Sequence, residues 1–350
     1  MTSRPADVAR LTSPVLRSGC GLFLCLAVLV ASAARTPAAL AQDLPSFGAS
    51  VDGIVDLADR CAGNAPGLAA RCRELALTTL AIQQGIGLAT ALGSDNPGTA
   101  STLGKRLGAA PRISVALSAI GLPMQMPRVA VQSVRELTEE ESFAVVGLRG
   151  TVVAGVVDGF QPAPALGGVL SADLIASYSV LRLPGGSGFS GASSGPGLGT
   201  RIGLLRESFT LPGISVSAFR RWHNDVQAGD VAGGNPGEVR MDLTVSSLRA
   251  TLGKNWFVLG LMAGVGWDRY DSDADVRVPQ PGGSNSPVTG QVRSERSLYF
   301  AGGGFNFLIS QVSLEVGVAE GVSDPFTGRG GGYDPAARDW FASGAVRITL

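Results

Sequence analysis

Ten successive runs in the C-terminal two-thirds of the chain alternate between apolar residues and polar or small residues. In the run that begins at Val312, for example, valine and leucine alternate with serine, glutamate and glycine. A period of two residues places alternate side chains on opposite faces of a β-strand. The pattern therefore predicts ten strands, at about residues 112–121, 142–157, 168–183, 199–209, 213–227, 237–253, 256–277, 289–309, 312–323 and 338–350.

The connections between these runs differ in length from one end of the strands to the other. Tight turns fall at residues 210–213, 253–255 and 310–311. Long connections rich in Gly, Pro, Ser, Asn and Asp fall at residues 184–198, 228–236, 278–288 and 324–337. Short turns at one end and long loops at the other are typical of outer-membrane barrels. Because an open sheet edge cannot be hydrogen-bonded in hydrocarbon, we predict an all-β, antiparallel up-and-down transmembrane β-barrel over residues 111–350.

A soluble exported β-sandwich is the alternative, since it would show the same alternation with its apolar face inward. Strand length favours the barrel, because runs 237–253 and 256–277 exceed the ~5–6 residues usual in soluble domains and reach the ~9–11 needed to cross a bilayer. With the apolar face outward and one bulge near Ser246 and Ser247, charged side chains are expected in a closed, salt-bridged lumen. These are Arg149, Asp173, Arg240, Asp242, Arg249, Glu315 and Arg347.

The N-terminus has the pattern of a cleaved secretory signal peptide over residues 1–41. Arginines at positions 4, 10 and 17 precede an apolar run over residues 19–33, and Ala39-Leu40-Ala41 supplies the small-residue cleavage pattern. Export places the remaining cysteines, Cys61 and Cys72, in an oxidising compartment, so we predict a disulfide. Without four arginines and one aspartate of this peptide, 24 basic residues face 27 acidic ones, a balance that argues against a nucleic-acid partner.

Residues 42–110 form a second part, between the signal peptide and the barrel. Apolar positions recur there at steps of four and three, which places one stripe on the face of a helix: Leu68, Cys72, Leu75, Thr79, Ile82 and Ile86. The sequence predicts a helical segment with the disulfide, and two interpretations stay open. The helix is either a periplasmic segment or a plug of the barrel.

Candidate catalytic residues are few. His223 is the single histidine, at the expected outer end of a strand near Asp225, where it could act in acid–base chemistry. Residues 191–195 match the G-x-S-x-G pattern, with Glu207 and His223 following, but that motif needs a strand–turn–helix context. No residue set predicts a cofactor or a metal site. We therefore predict a non-enzymatic structural, adhesive or narrow-channel role, with a rim-histidine hydrolase as the alternative.

The signal peptide, the ten amphipathic runs and the final strand from Trp340 to Leu350 together resemble bacterial outer-membrane β-barrel proteins as a broad class. The resemblance covers about residues 112–350, and the chain departs from typical members by ending in leucine instead of phenylalanine. It implies a location in the bacterial outer membrane and contact with lipid and lipopolysaccharide. It also implies insertion by the barrel-assembly machinery, which acts on the last strand. Nothing in the sequence indicates an oligomeric state.

Overall fold

A computed structural model describes most of the chain that follows the expected signal peptide. The described residues are 49–63, 66–105, 111–127, 140–162, 167–183, 192–232, 237–279, 286–326 and 333–350. The signal peptide predicted over residues 1–41 lies outside these ranges. In the described part of the chain, no helix is both long enough and apolar enough to span a bilayer.

Two helices and one short strand precede a set of ten long strands. The first part contains β1 (Ser50–Asp52), α1 (Ile54–Ala62), a single 3₁₀ turn (Pro66–Leu68) and α2 (Ala69–Ala91). A disulfide between Cys61 and Cys72 joins α1 to α2, which confirms the predicted pairing. The long strands are β2 (Ile113–Pro127), β3 (Glu140–Val157), β4 (Ser171–Arg182), β5 (Ala192–Leu205), β6 (Gly213–Ala228), β7 (Glu238–Trp256), β8 (Leu259–Arg277), β9 (Val288–Phe307), β10 (Ser310–Ala319) and β11 (Asp339–Thr349).

The ten long strands form a closed antiparallel barrel, as predicted. Each strand from β2 to β10 pairs with the next one, and β11 pairs with β2, with Val346 opposite Leu117. Closure provides backbone hydrogen-bond partners within the ring, which a sheet in hydrocarbon requires. Strand β9 extends beyond its neighbour β10, and there β1 pairs with it, Asp52 lying opposite Arg293.

An apolar band surrounds the half of the barrel nearest the short turns. Its outward residues include Val115, Leu148, Leu174, Leu198, Leu252, Leu261, Leu314 and Ile348, all exposed. Aromatic side chains border the band at both levels: Phe209, Trp256, Phe257 and Phe307 at the short-turn end, and Tyr178, Trp222, Trp267, Tyr299 and Trp340 toward the long loops. On β8 the band runs from Leu259 to Trp267, about 20 Å for strands with a ~3.4 Å rise and a ~40° tilt, close to the ~25 Å expected of a membrane barrel.

Beyond Trp267, toward the long loops, the outward residues of the strands become polar and many of the inward residues become apolar. On β8 the outward residues become charged, from Arg269 to Arg277, while inward Tyr270 and Ala274 are buried. Strand β7 does the same: Met241 and Leu243 are buried inside, and Arg240 and Asp242 lie on the outer surface.

Two predictions for β7 are therefore corrected. Arg240 and Asp242 do not lie in the lumen, because helix α2 provides an apolar core inside this half and the apolar face of β7 packs inward against it. The bulge expected near Ser246 and Ser247 is also wrong, since β7 pairs with β8 without a register shift. The register shift in the pairing of β6 with β7 lies in β6, between His223 and Val226.

Strand β5 begins seven residues before its predicted start at residue 199. Its first residues, rich in glycine and serine, were expected to be loop because glycine disfavours strands. Glycine is needed here because β5 and β6 approach closely. A Cβ at Gly197 would lie 2.6 Å from the ring of Phe219, and one at Gly195 would collide with the carbonyl oxygen of Trp222.

Candidate functional site

Residues 69–105, which we call the lumenal segment, run through the inside of the barrel from one end to the other. The segment consists of α2 and the chain that follows it, and every residue from Leu75 to Ala91 is buried. At the long-loop end, the side chain of Leu75 lies against Gly237. At the short-turn end, the amide of Lys105 donates to Asp158 in the β3–β4 connection, at 2.5 Å.

The half of the lumen nearest the long loops is packed like a protein core. A Cβ at Gly87 would lie 2.5 Å from the ring of Tyr270, so glycine lets the helix approach the wall. The buried amide of Gln83 donates to the carbonyl oxygen of Val292 at 2.8 Å and to Ser272 Oγ at 2.9 Å. Its oxygen accepts from Ser294 Oγ at 2.7 Å. These contacts satisfy both ends of a buried amide and leave it little freedom to move.

Wall arginines hold the C-terminal end of α2. Arg149 donates to the carbonyl oxygens of Thr90 at 2.6 Å and Leu92 at 3.0 Å. Arg249 donates to the carbonyl oxygen of Ala91, also at 3.0 Å. The last carbonyls of a helix have no partner within it and carry partial negative charge. Two guanidinium groups therefore satisfy and neutralise this end of the helix inside the barrel.

After the end of α2, the lumenal segment forms ion pairs and hydrogen bonds with the barrel wall. Asp95 accepts from Arg221 Nη2 and from Ser217 Oγ, each at 2.6 Å. The side chains of Asp95 and Arg221 are each only 2% exposed. Glu315 on β10 accepts from the amide of Ser94 through both carboxylate oxygens, at 3.0 and 3.2 Å. A buried charge requires a partner of opposite sign or hydrogen bonds, and these groups provide both.

The same pattern continues to the short-turn end. Arg201 donates to the carbonyl oxygen of Thr99 at 2.6 Å, and Asp173 accepts from the amide of Leu103 at 3.0 Å. Arg347 donates to Asn96 Oδ1 at 3.3 Å. Arginines of the wall thus bind oxygens of the segment, and carboxylates of the wall bind its amides. The geometry fixes the segment along its whole path.

Five of the seven predicted lumen residues lie on the inner face and contact the lumenal segment: Arg149, Asp173, Arg249, Glu315 and Arg347. Sequence analysis missed Asp95 and the buried charges Arg201, Arg221, Asp268 and Arg296 on the wall. The inward position of the four wall residues could have been predicted from the alternation within their strands. The role of Asp95 could not have been predicted, because the sequence around it indicates only the end of a helix.

His223 is buried inside the barrel and not exposed at its rim. Its Nε2 lies 3.0 Å from Ser179 Oγ and its Nδ1 lies 3.3 Å from Ser193 Oγ. Ser193 belongs to the G-x-S-x-G match, but it lies within β5 and not in a strand–turn–helix. Glu207 is bonded to Asn255 in a different part of the barrel. The histidine therefore has two serine neighbours and, within the described residues, no carboxylate contact.

One cavity beside the lumenal segment is small. A cavity bordered by Ser94, Gly98, Arg149 and Glu315 has a volume of about 10 Å³. That volume holds roughly one water molecule. The described residues contain no group of three or more His, Cys, Asp or Glu side chains placed to bind a metal ion.

No protein-family model and no curated protein sequence matches the chain. Solved structures with a similar fold include the outer membrane protease OmpT from Escherichia coli, at 10% identity and TM-score 0.34 over 69% of this chain and 96% of that chain. The translocator domain of autotransporter NalP from Neisseria meningitidis is similar at 13% identity and TM-score 0.37, over 69% and 89%. The attachment invasion locus protein Ail of Yersinia pestis is similar at 8% identity and TM-score 0.26, over 68% and 99%.

These neighbours differ in what they do, and at this level of similarity they carry no argument about this chain. The fold itself is established by the ring of ten paired strands with an apolar band outside and a charged interior. Closure without an edge and the two aromatic levels are properties of sheets that sit in a bilayer. The chain therefore has the fold of a bacterial outer-membrane β-barrel protein.

Proposed function

We propose that the protein is a non-enzymatic, non-conducting scaffold of the outer membrane that carries its N-terminal segment to the cell surface. One observation supports this most directly: the lumenal segment runs along the inside of the barrel and is hydrogen-bonded to the wall from Gln83 to Leu103. A pore of this strand number is narrow even when empty, since eight strands already leave room only for side chains. The buried position of His223 favours this role over a hydrolase.

The position of α1 supports the surface location of the N-terminal segment. Leu57 of α1 lies against Gly290, close to the loop between β8 and β9. This loop belongs to the long-loop end, which faces the cell exterior in outer-membrane barrels. Helix α1 and the disulfide that joins it to the first turn of α2 would therefore lie at the outer mouth of the barrel, where a structural or adhesive role is exercised. Signal-peptide cleavage, lipopolysaccharide contact and insertion through β11 by the barrel-assembly machinery belong to the same proposal.

We expect the wild-type protein to give no steady current in a planar lipid bilayer, because the lumenal segment runs along the lumen and is hydrogen-bonded to the wall from Gln83 to Leu103. The measurement is single-channel conductance of the refolded protein over a range of voltages and salt concentrations. Heat-modifiable migration on a gel would show that the barrel is folded. A steady wild-type current proportional to salt concentration would favour a narrow channel and contradict the proposal.

We also expect an epitope tag inserted after Gln42 to be detected on intact cells. The matched control is the same tag inserted in the turn between Phe257 and Val258, which lies at the end of the barrel opposite to α1. Antibody binding is measured by flow cytometry before and after the outer membrane is permeabilised. The control tag should appear only after permeabilisation. The proposed direction of the lumenal segment is rejected if the two tags behave alike.

A further inference from the structure

Arginines outnumber carboxylates on the inner face of the barrel. Among the described side chains, the barrel strands place six arginines and four carboxylates on this face. They are Arg149, Arg201, Arg221, Arg249, Arg296, Arg347, Asp173, Asp268, Glu315 and Asp339. Two of the arginines pair with wall carboxylates, Arg249 with Asp268 at 2.6 Å and Arg296 with Asp339 at 2.8 Å. Four arginines and two carboxylates remain to face the lumenal segment.

Three of these four arginines have neutral oxygens as their hydrogen-bond acceptors. Arg149 and Arg201 donate to backbone carbonyl oxygens of the lumenal segment. Arg347 donates to the side-chain amide oxygens of Asn96 and Gln311. Within the described residues, none of the three forms an ion pair. The lumenal segment therefore solvates these guanidinium groups without cancelling their charge.

The segment contributes a single carboxylate over residues 92–105. This is Asp95, which pairs with Arg221, the fourth of the arginines. When the segment is displaced, Asp95 leaves with it, and the four wall arginines face only Asp173 and Glu315. Both of these carboxylates accept from amides of the segment in the closed structure. The wall of an opened lumen would therefore carry an excess of positive charge.

A displaced segment would leave a path along the lumen. An extended chain occupies a width of about 5 Å and a helix about 10 Å, so residues 92–105 mark the narrower part. Beside this part, the inner faces of β2, β10 and β11 carry small side chains, among them Ser118, Ser313, Ser343 and Ala345. A small inorganic anion fits such a path, and the arginines along it offer both charge and hydrogen-bond donors.

We propose that the lumen contains a latent pathway for small inorganic anions, which the lumenal segment closes by occupying the arginines of the wall. In the opened lumen, anions take the places of the carbonyl oxygens, and the excess of arginine repels cations. The proposal goes beyond the scaffold role, and the two can fail separately. A steady wild-type current would contradict the scaffold role, whereas the ion preference of an opened variant decides the pathway.

The test is the reversal potential of the full-length variant Gly93→Val/Gly98→Val in a planar bilayer with a tenfold gradient of potassium chloride. Both glycines have a positive φ, and a Cβ at Gly98 would lie 2.6 Å from the side chain of Gln311. The two valines therefore displace the segment without changing any charge. We expect chloride to be about fivefold more permeant than potassium, the effect of one net unit charge at contact distance in water. Equal permeability, or a preference for potassium, would overturn the proposal.

Two substitutions in this opened variant separate the inner face from the outer surface. Arg201→Gln removes an inward charge and should lower the preference for chloride about twofold or more. Arg220→Gln is the matched control and should leave the preference unchanged. Arg220 is exposed on the outer face of β6, with its guanidinium 5.9 Å from the centre of the Trp222 ring. Equal effects of the two substitutions would contradict a pathway lined by the wall arginines.

Asp95→Ala is the second opening variant, used if the two valines prevent folding of the barrel as judged by heat-modifiable migration. Its preference for chloride should be at least as large, because the substitution itself removes a negative charge from the lumen. A folded barrel that passes no current with either opening variant would also overturn the proposal.

Discussion

Replacing Asp95 with alanine is expected to lower the free energy of unfolding by about 3–5 kcal/mol, the cost of leaving a buried charge without its partner. The substitution leaves the guanidinium of Arg221, which is 2% exposed, without the carboxylate that it contacts at 2.6 Å. It also removes the acceptor of Ser217. The lumenal segment would be weakened at its middle, and intermittent currents should appear in planar bilayers where the wild type gives none.

Urea-induced unfolding in lipid vesicles, followed by tryptophan fluorescence, measures the stability change. Asp59→Ala is the matched control, because Asp59 is an exposed aspartate of α1. The double variant Asp95→Ala/Arg221→Ala should recover part of the loss, since it leaves neither charge unpaired. If Asp95→Ala and Asp59→Ala unfold at the same urea concentration, the ion pair does not hold the segment as described.

Leu243→Asp is expected to lower the free energy of unfolding by at least about 3 kcal/mol, because it places a carboxylate in an apolar core and removes packed side-chain atoms. Leu243 is 1% exposed and belongs to the core shared by β7 and α2. The next residue, Thr244, points to the outer surface beyond the apolar band. Thr244→Asp should therefore cost no more than ~1 kcal/mol, the effect of a like charge opposite Asp271 on the neighbouring strand.

The two aspartate variants are compared in the same urea titration. They carry the same new charge one position apart on one strand, so only the face differs. A larger loss for Thr244→Asp would mean that the apolar face of β7 meets lipid along its whole length. That result would restore the register predicted from sequence and contradict the inward position of Leu243.

The barrel itself could be predicted from sequence because a strand crossing a bilayer must alternate, and the chain shows this in ten places. Leu314 and Glu315 illustrate the rule, one facing lipid and the other the lumen. The rule fails for Asp242 and Leu243, where the alternation is just as clear but the faces are exchanged. A period of two separates the faces of a strand without indicating which one lies inside. That choice depends on α2, whose position in the lumen the sequence left open.

The residues that the barrel wall contributes to the lumenal contacts could be predicted from sequence, but those of the lumenal segment could not. Arg249 and Glu315 stand on the polar face of amphipathic strands, so their inward position followed from alternation. The role of Asp95 depends on a turn after α2 that brings it to Arg221, and no local pattern encodes that distance. Residue type alone does not indicate where a side chain lies, as two neighbouring arginines show. Arg221 binds Asp95 inside the barrel, whereas Arg220 lies outside it at the lipid boundary.

The course of the lumenal segment restricts the order of assembly. Helix α1, joined by a disulfide to the start of α2, lies at one mouth of the ring, and α2 and the chain after it contact the wall inside the ring. A helix of 23 residues with a second helix linked to it is not easily drawn through a finished ring of only ten strands. The sheet must instead wrap around the segment while the seam between β2 and β11 is still open. We therefore expect the pairing of β2 with β11 to form last, around a segment that is already in place.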